Sequence, residues 1–437
     1  MVIERFRLDN GMVVLVLADH QAPVICYQTW FAVGSRHERP GKTGISHLFE
    51  HLLFGQTESV PHGKFDRLLE EAGADGNAAT YLDWTYYTIS LPREALDLVV
   101  RLEADRLQNL VLRDDTVASE REVVANERRQ AVEDDVDGAV AERLYETVFR
   151  EHGYRWPTIG YMPDILGLTT EDCRRFYGTY YAPNNATLAV VGDVAPDELV
   201  ARLEEHYGSI PAAAVPIEDV RPEPPQTQER RLSLDKPTAS EKLVVAYRSP
   251  AFGDFDHSAL IVLNEILVGG RASRLHRVLV QQRELASSVR AYVGTYRDPS
   301  LWDFWLVARK GVELATLHAA LDELLAEVRQ QPVSESELQR AQARVELSSL
   351  QGLETVSGRA TQIGFCETVL GDPAALFDKV EEVQRVRRAD VLRVARQYLR
   401  DEARTVLEVH REDSPTTAVA GDGDAHRDEQ TQEQEPS

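Results

Sequence analysis

His47-Leu48-Phe49-Glu50-His51 decides how this chain is read, and its neighbours say what element carries it. Residues 44–55 contain no proline, and Ile45, Leu48, Phe49, Leu52 and Leu53 recur at helical spacing as one apolar stripe. At about 100° per residue, His47, Glu50 and His51 share the opposite side, within an arc of about 100°. The spacing predicts a helix that buries one side and presents two imidazoles, one turn apart, to a cleft. Imidazoles so placed can share one metal ion. With a carboxylate one residue before the second imidazole, the order H-x-x-E-H is an arrangement known among zinc peptidases. Five residues also match by chance on solvated faces, so a third ligand has to decide.

Catalytic zinc takes three protein ligands and keeps one position for water. Residues 115–135 read as a second, acid-rich helix with Val117, Val124 and Ala131 as its inward stripe. Glu120 and Glu127 lie beside that stripe, seven residues apart and nearly eclipsed, while Glu122 and Glu133 point elsewhere. Carboxylates on a buried face are costly unless they meet a metal or a partner. Pairing with Arg121 and Arg128 is the usual fate of such acids, and spacing alone leaves both readings open.

Together these residues resemble the pitrilysin (insulinase, inverzincin) family of zinc metallopeptidases, and within it the processing-peptidase-like group. The separation of Glu127 from His51 fits that family's third ligand, and residues 119–130 (SEREVVANERRQ) resemble its second signature. Further matches are Gly34-Ser35-Arg36, Phe54-Gly55-Gln56-Thr57, Asn77-Ala78-Ala79-Thr80 with Asp83 and Tyr87, and Tyr181-Ala182-Pro183-Asn184-Asn185 leading to Val191-Gly192-Asp193. They run along nearly the whole chain to about residue 410. The resemblance implies an α+β fold of two homologous α/β-roll halves, of the LuxS and processing-peptidase type. Each half would be a mostly antiparallel sheet packed with helices, and the two would enclose a cleft. It implies Zn2+ on His47, His51 and Glu127, with Glu120 supporting the site without being a ligand. Glu50 would take a proton from water and deliver it to the leaving amine. Asn77 and Ala78 would lie on an exposed edge strand that pairs with an extended peptide substrate.

The order of elements repeats. Residues 1–210 and about 235–410 each run strand, helix, strands, helices, strand. Residues 44–55 match 257–270, the glutamate-bearing helix matches 334–350, and the closing strand 186–192 matches 404–410. The histidine pair occurs only in the first copy; its counterpart carries Asn264 and Glu265. The expected domains are a zinc-binding domain over 1–210, a Pro-rich and charged linker over 211–236, a homologous domain of inactive type over 237–411, and a disordered acidic tail over 412–437.

Composition narrows the function classes. The chain has 437 residues and a net charge of −24, which disfavours nucleic acid and anionic membrane surfaces; it attracts basic peptides at long range, but plain solubility is the preferred reading of the charge. Cys26, Cys173 and Cys366 are scattered and odd in number, so no disulfide framework is expected. No stretch reaches the length of a membrane span, and the chain opens in a strand pattern without an apolar leader. A cytoplasmic location is the expectation, with a mature periplasmic or organellar chain also compatible.

One departure from the family pattern matters. Active single-chain relatives carry an arginine and a tyrosine in the second half that face the zinc. In the register set by Leu285, Ala286 and Val289, those positions are Val280 and Ser287 here, and Arg290 and Tyr296 are read as belonging to the following strand. An oxyanion donor missing from a site costs about two to three orders of magnitude in rate. The expectation is therefore a zinc metalloendopeptidase that is the zinc-bearing subunit of a heterodimer. Its homologous partner would supply the Arg/Tyr pair, as in the division of labour of the mitochondrial processing peptidase; a homodimer is the second arrangement. Two readings compete: a non-catalytic assembly subunit of the same fold, like the core proteins of the respiratory cytochrome bc complex, and a peptide-binding or chaperone-like module that holds zinc but cleaves poorly alone.

Overall fold

The computed structural model describes residues 2–216 and 221–412, so nearly all of the expected acidic tail lies outside the described residues. The first half contributes strands β1 (Glu4–Arg7), β2 (Val13–Ala18), β3 (Val24–Phe31), β4 (Asp75–Thr80), β5 (Thr85–Pro92) and β6 (Ala186–Gly192). They pair in the order β1-β2-β6-β3-β5-β4. The second half contributes β7 (Arg230–Lys236), β8 (Lys242–Arg248), β9 (Ala286–Val293), β10 (Leu301–Ala308) and β11 (Arg404–Arg411), in the order β7-β11-β8-β10-β9. Without β1 the two orders coincide, including one parallel pair each, β2 with β6 and β7 with β11. The fold is α+β, built from two homologous halves.

Strand β3 is central, and Ile25 to Phe31 are all buried, which explains its run of apolar and aromatic residues. Among the described residues, strand β4 pairs only with β5, so one of its edges carries no strand. On one face of the first sheet, Leu48, Phe49 and Leu52 of the helix Ile45–Leu52 enter the main core of this half.

The halves exchange helices. Helix Val356–Leu370 of the second half covers the other face of the first sheet, where Ala360, Ile363 and Cys366 join Leu15, Trp30 and Val191. Gly364 permits this approach, because a Cβ there would stand 2.3 Å from the Trp30 indole nitrogen. In return, helix Val136–Val148 of the first half sets Val140, Leu144 and Val148 against Val244, Ala246 and Val409 of the second sheet. A buried ionic junction adds to the seam. Arg36 lies 2.7 Å from both Asp83 and Asp298, and the Tyr154 hydroxyl donates to Asp83 at 2.8 Å. Arg36 and Asp83 are thus spent on joining the halves. A buried charge pair of this kind is strongly destabilising when one partner is removed.

Three expectations need correction. The last seven residues of the expected linker, Arg230–Lys236, form β7 and pair with β11, because Leu232 and Leu234 alternate inward beneath a charged surface pattern. The glutamate-bearing α-helix spans Asp114–Arg128 and continues as a π-helical turn, Arg129–Glu133; the wider turn rotates the register and leaves Ala131 exposed. Ser287 and Arg290 lie on one strand, β9, not on successive strands, and Tyr296 follows it in a loop. The three cysteines are free and buried.

Candidate metal centre

The helix Ile45–Leu52 begins at Gly44, whose φ of 85° is the left-handed conformation that glycine adopts freely. A Cβ at Gly44 would also meet the Ile159 carbonyl oxygen at 2.6 Å, so the helix start packs directly on another backbone segment. Buried Glu38 accepts the N–H groups of Gly44 and Ser46, each at 2.8 Å, and so satisfies donors that the helix itself leaves open. Burial pushes the Glu38 carboxyl up to about 8, against the pull of those two donors. Across from this helix, Arg128 grips the Gly160 carbonyl at 2.6 Å and Glu142 at 2.7 Å. The end of the second helix is thereby fixed one residue after Glu127.

These supports bring one nitrogen each of His47 and His51 and one oxygen of Glu127 within 4.8 Å of one another. His47 Nε2 is 3.6 Å and His51 Nε2 3.5 Å from the same Glu127 oxygen. The other nitrogen of His51, Nδ1, faces Glu120 at 3.6 Å. A carboxylate behind a ligating histidine fixes its tautomer and raises its basicity. His47 Nδ1 is buried and has no hydrogen-bond partner among the described residues. The donor set of two imidazoles and one carboxylate is one that suits a catalytic zinc ion, and the residues present fit that group.

The electrostatics are divided between the two imidazoles. Burial pulls His47 down to about 4, helped by the charge of His51. Burial also acts to lower His51, but the Glu120 hydrogen bond and the charges of Glu127 and Glu50 outweigh it and hold its pKa above the ordinary value. Glu50 is raised by burial, opposed by the Thr80 hydroxyl, which donates to its carboxylate at 2.5 Å.

A cavity of about 320 Å³ opens beside Glu50 and His51, and Asn77 and Ala78 of β4 line it. Every expected site residue therefore falls in one neighbourhood: His47, His51 and Glu127 together, Glu50 next to them, Glu120 behind His51, and Asn77 and Ala78 at the free edge. Sequence reasoning missed Thr80 and Glu38 as supports. Strand alternation offered a signal for Thr80, which shares a face with Ala78. Glu38 carried none, since its partners depend on how a loop folds back.

Among the described residues, the second half brings none to this cavity, whose lining ends at Glu120. Val280 packs against the second core, and the Ser287 hydroxyl donates to the Val307 carbonyl at 3.2 Å. Arg290 is held by Asp137 at 2.7 Å, and Tyr296 packs against Trp84 and Tyr154.

Comparison with known proteins agrees with this geometry. The model of "Insulinase (Peptidase family M16)" matches residues 13–161, and that of "Peptidase M16 inactive domain" matches residues 167–345. The chain is 31% identical to the zinc protease PqqE of Helicobacter pylori, over 92% of each chain. A crystal structure of a protease from Helicobacter pylori superimposes with a TM-score of 0.89 at 29% identity, covering 94% of this chain and 99% of that one. A structure described as a peptidase M16 inactive domain from Pseudomonas fluorescens has a TM-score of 0.86 over 95% of this chain and 99% of its own, at 17% identity, a likeness of fold alone. With both family models in chain order, the metal-ligand geometry inside the first, and a relative this similar from end to end, the chain belongs to the insulinase family, peptidase family M16.

Proposed function

We propose that this chain is a zinc-dependent metalloendopeptidase that acts on peptides or unfolded polypeptides held in extended form. The observation that carries the reading is the convergence of His47, His51 and Glu127 donor atoms within 4.8 Å, one helical step from Glu50 and beside the free edge of β4. A zinc ion bound there supplies Lewis acidity to water and to a substrate carbonyl. Glu50, half-buried and with its pKa raised, accepts the proton of the attacking water and passes it to the leaving amine. Thr80 holds the Glu50 carboxylate in place for both transfers. Substrate backbone pairs with β4 at Asn77 and Ala78, so that a scissile carbonyl lies over Glu50.

The zinc-bearing chain works with a homologous partner. Val280 and Ser287 stand where relatives place the Arg/Tyr pair, and the neighbouring Arg290 and Tyr296 are held by Asp137 and by aromatic packing. A second chain supplies the missing oxyanion donors, either a distinct homologue or a second copy. Metal content and peptide turnover of the purified chain, alone and mixed with candidate homologues, test both parts. One bound zinc with low turnover that rises on mixing is expected. A chain that binds no zinc is no peptidase, and full activity of the isolated chain overturns the two-chain form.

A further inference from the structure

The two imidazoles are not held alike. His51 lies one turn further into the helix than His47, and its Nδ1 faces Glu120 at 3.6 Å. His47 is the third residue of that helix, and its Nδ1 meets no hydrogen-bond partner among the described residues. The direction of the His47 ring therefore follows from the backbone of the first turn. Helix ends are the parts that fray most readily.

That turn takes its acceptor from outside. First-turn N–H groups have no partner within a helix, and a side chain at the residue before it ordinarily takes one. Here that residue is Gly44, with no side chain to offer and no room for one beside Ile159 and Gly160. Glu38, six residues earlier and only 8% exposed, stands in. Its two oxygens are divided between the Gly44 and Ser46 N–H groups, one on each side of Ile45, and Ser46 is the residue before His47. A carboxylate that grips two points of one turn fixes its tilt as well as its place. Its negative charge also suits the positive end of the helix. The charged group that acts on Glu38 is Asp164, of like sign, so among the described residues the carboxylate serves the helix and not an ion pair.

Asp164 supplies a contrast. It accepts the Thr43 N–H at 3.2 Å and the Thr43 hydroxyl at 2.7 Å, and so steadies the same loop one residue before Gly44. One carboxylate is aimed at the metal-binding helix, the other at the loop that leads to it.

We propose that Glu38 is the positioning residue of His47, setting through the first turn where the imidazole meets His51 and Glu127. It does through the backbone what Glu120 does for His51 through a side-chain contact. The proposal rests on the zinc reading of the same site. Loss of Glu38 then acts first on how well the ion is held, not on the proton transfers at Glu50.

The test measures the zinc affinity of the full chain, by competition with a chelator, in the wild type, Glu38→Gln and Asp164→Asn. It is run above the value of about 8 to which burial pushes the Glu38 carboxyl, so that both oxygens accept. Glutamine keeps the size but turns an NH2 group toward one of the two donors. The expected result is a roughly ten-fold weaker affinity in Glu38→Gln, the lower end of the range for outer partners of a metal ligand. Asp164→Asn stays near the wild type. The visible absorption of the cobalt(II)-loaded chains reads ligand geometry directly, and it changes in Glu38→Gln alone. Where Glu38→Gln does not fold, Glu38→Asp takes its place with the same expectation, because it lacks the reach for both donors. Unchanged affinity with an unchanged cobalt spectrum in the Glu38 variant overturns the proposal while the zinc reading stands. Equal losses in the Glu38 and Asp164 variants overturn it too, since they show a general loosening of the loop. A wild type that binds no metal sinks the zinc reading and this proposal with it.

Discussion

The two halves of this molecule share a strand order but not a fate for their carboxylates. In the first half, Glu120 and Glu127 on the helix Asp114–Arg128 face the imidazoles of His51 and His47. In the second, the corresponding helices are Phe255–Val268 and Glu335–Gln351, and there Glu265 pairs with Arg344. Glu337 of the latter helix pairs with Arg274 at 2.7 Å and closes a capping box with Ser334. One copy answers its acids with guanidinium groups and is finished as a structure. The other leaves a carboxylate and two imidazole nitrogens converging, with no protein cation between them among the described residues, in the donor set proposed to hold zinc. Function lives in the side chains carried by the shared scaffold, not in the scaffold.

The largest effect expected from breaking this contrast is at Glu50. Glu50→Gln keeps its zinc and its fold but loses about 10²- to 10⁴-fold in turnover, the range for a positioned general base. Peptide turnover in parallel with metal content checks this, and persistent turnover in the zinc-loaded variant removes Glu50 from the mechanism. Next comes Glu120, which acts through His51. Glu120→Gln should weaken zinc binding by about 10- to 100-fold without abolishing it, measured by competition with a chelator. An unchanged affinity would show that Glu120 does not support the ligand.

The matched change in the second half, Glu337→Gln, should cost about 1 kcal/mol of stability whether or not zinc is present. Its hydrogen bond and ion pair with Arg274 hold the Glu337 carboxyl down to about 2, so its contribution is complete above the ordinary carboxylate range near 4.5. That contribution fades as pH falls toward about 2, because the folded state must then protonate a group it prefers charged. Urea melts of both proteins should therefore differ at pH 7 and converge in strong acid. Glu127→Gln, by contrast, should change stability little in the zinc-free protein and remove the increment that zinc adds to the wild type.

How much of this was legible follows from how local each feature is. His47 and His51 are one helical turn apart and Glu120 and Glu127 two turns apart, so helical periodicity alone put each pair on one face. The repeat of strands and helices gave the halves. What escaped depended on contacts distant in sequence. Glu38 reaches the helix start only because a loop turns back, and Gly364 has meaning only beside Trp30. The exchange of helices between halves leaves no periodic mark, since a helix covering a foreign sheet has the same apolar stripe as one covering its own. Strand β7 was hidden because Arg230, Arg231, Asp235 and Lys236 frame its two inward leucines. The inward role assigned to Ala131 failed because a π-helical turn breaks the 3.6-residue period just before the residue that depended on it.

Glu127 is the proposed ligand that would turn a histidine pair into a metal centre. Metal analysis after dialysis of the wild type, Glu50→Gln and Glu127→Gln tests it most directly. One zinc per chain in the first two and none in the third is the expected result. A Glu127→Gln chain that retains a full equivalent of zinc, or a wild type that holds none, contradicts it.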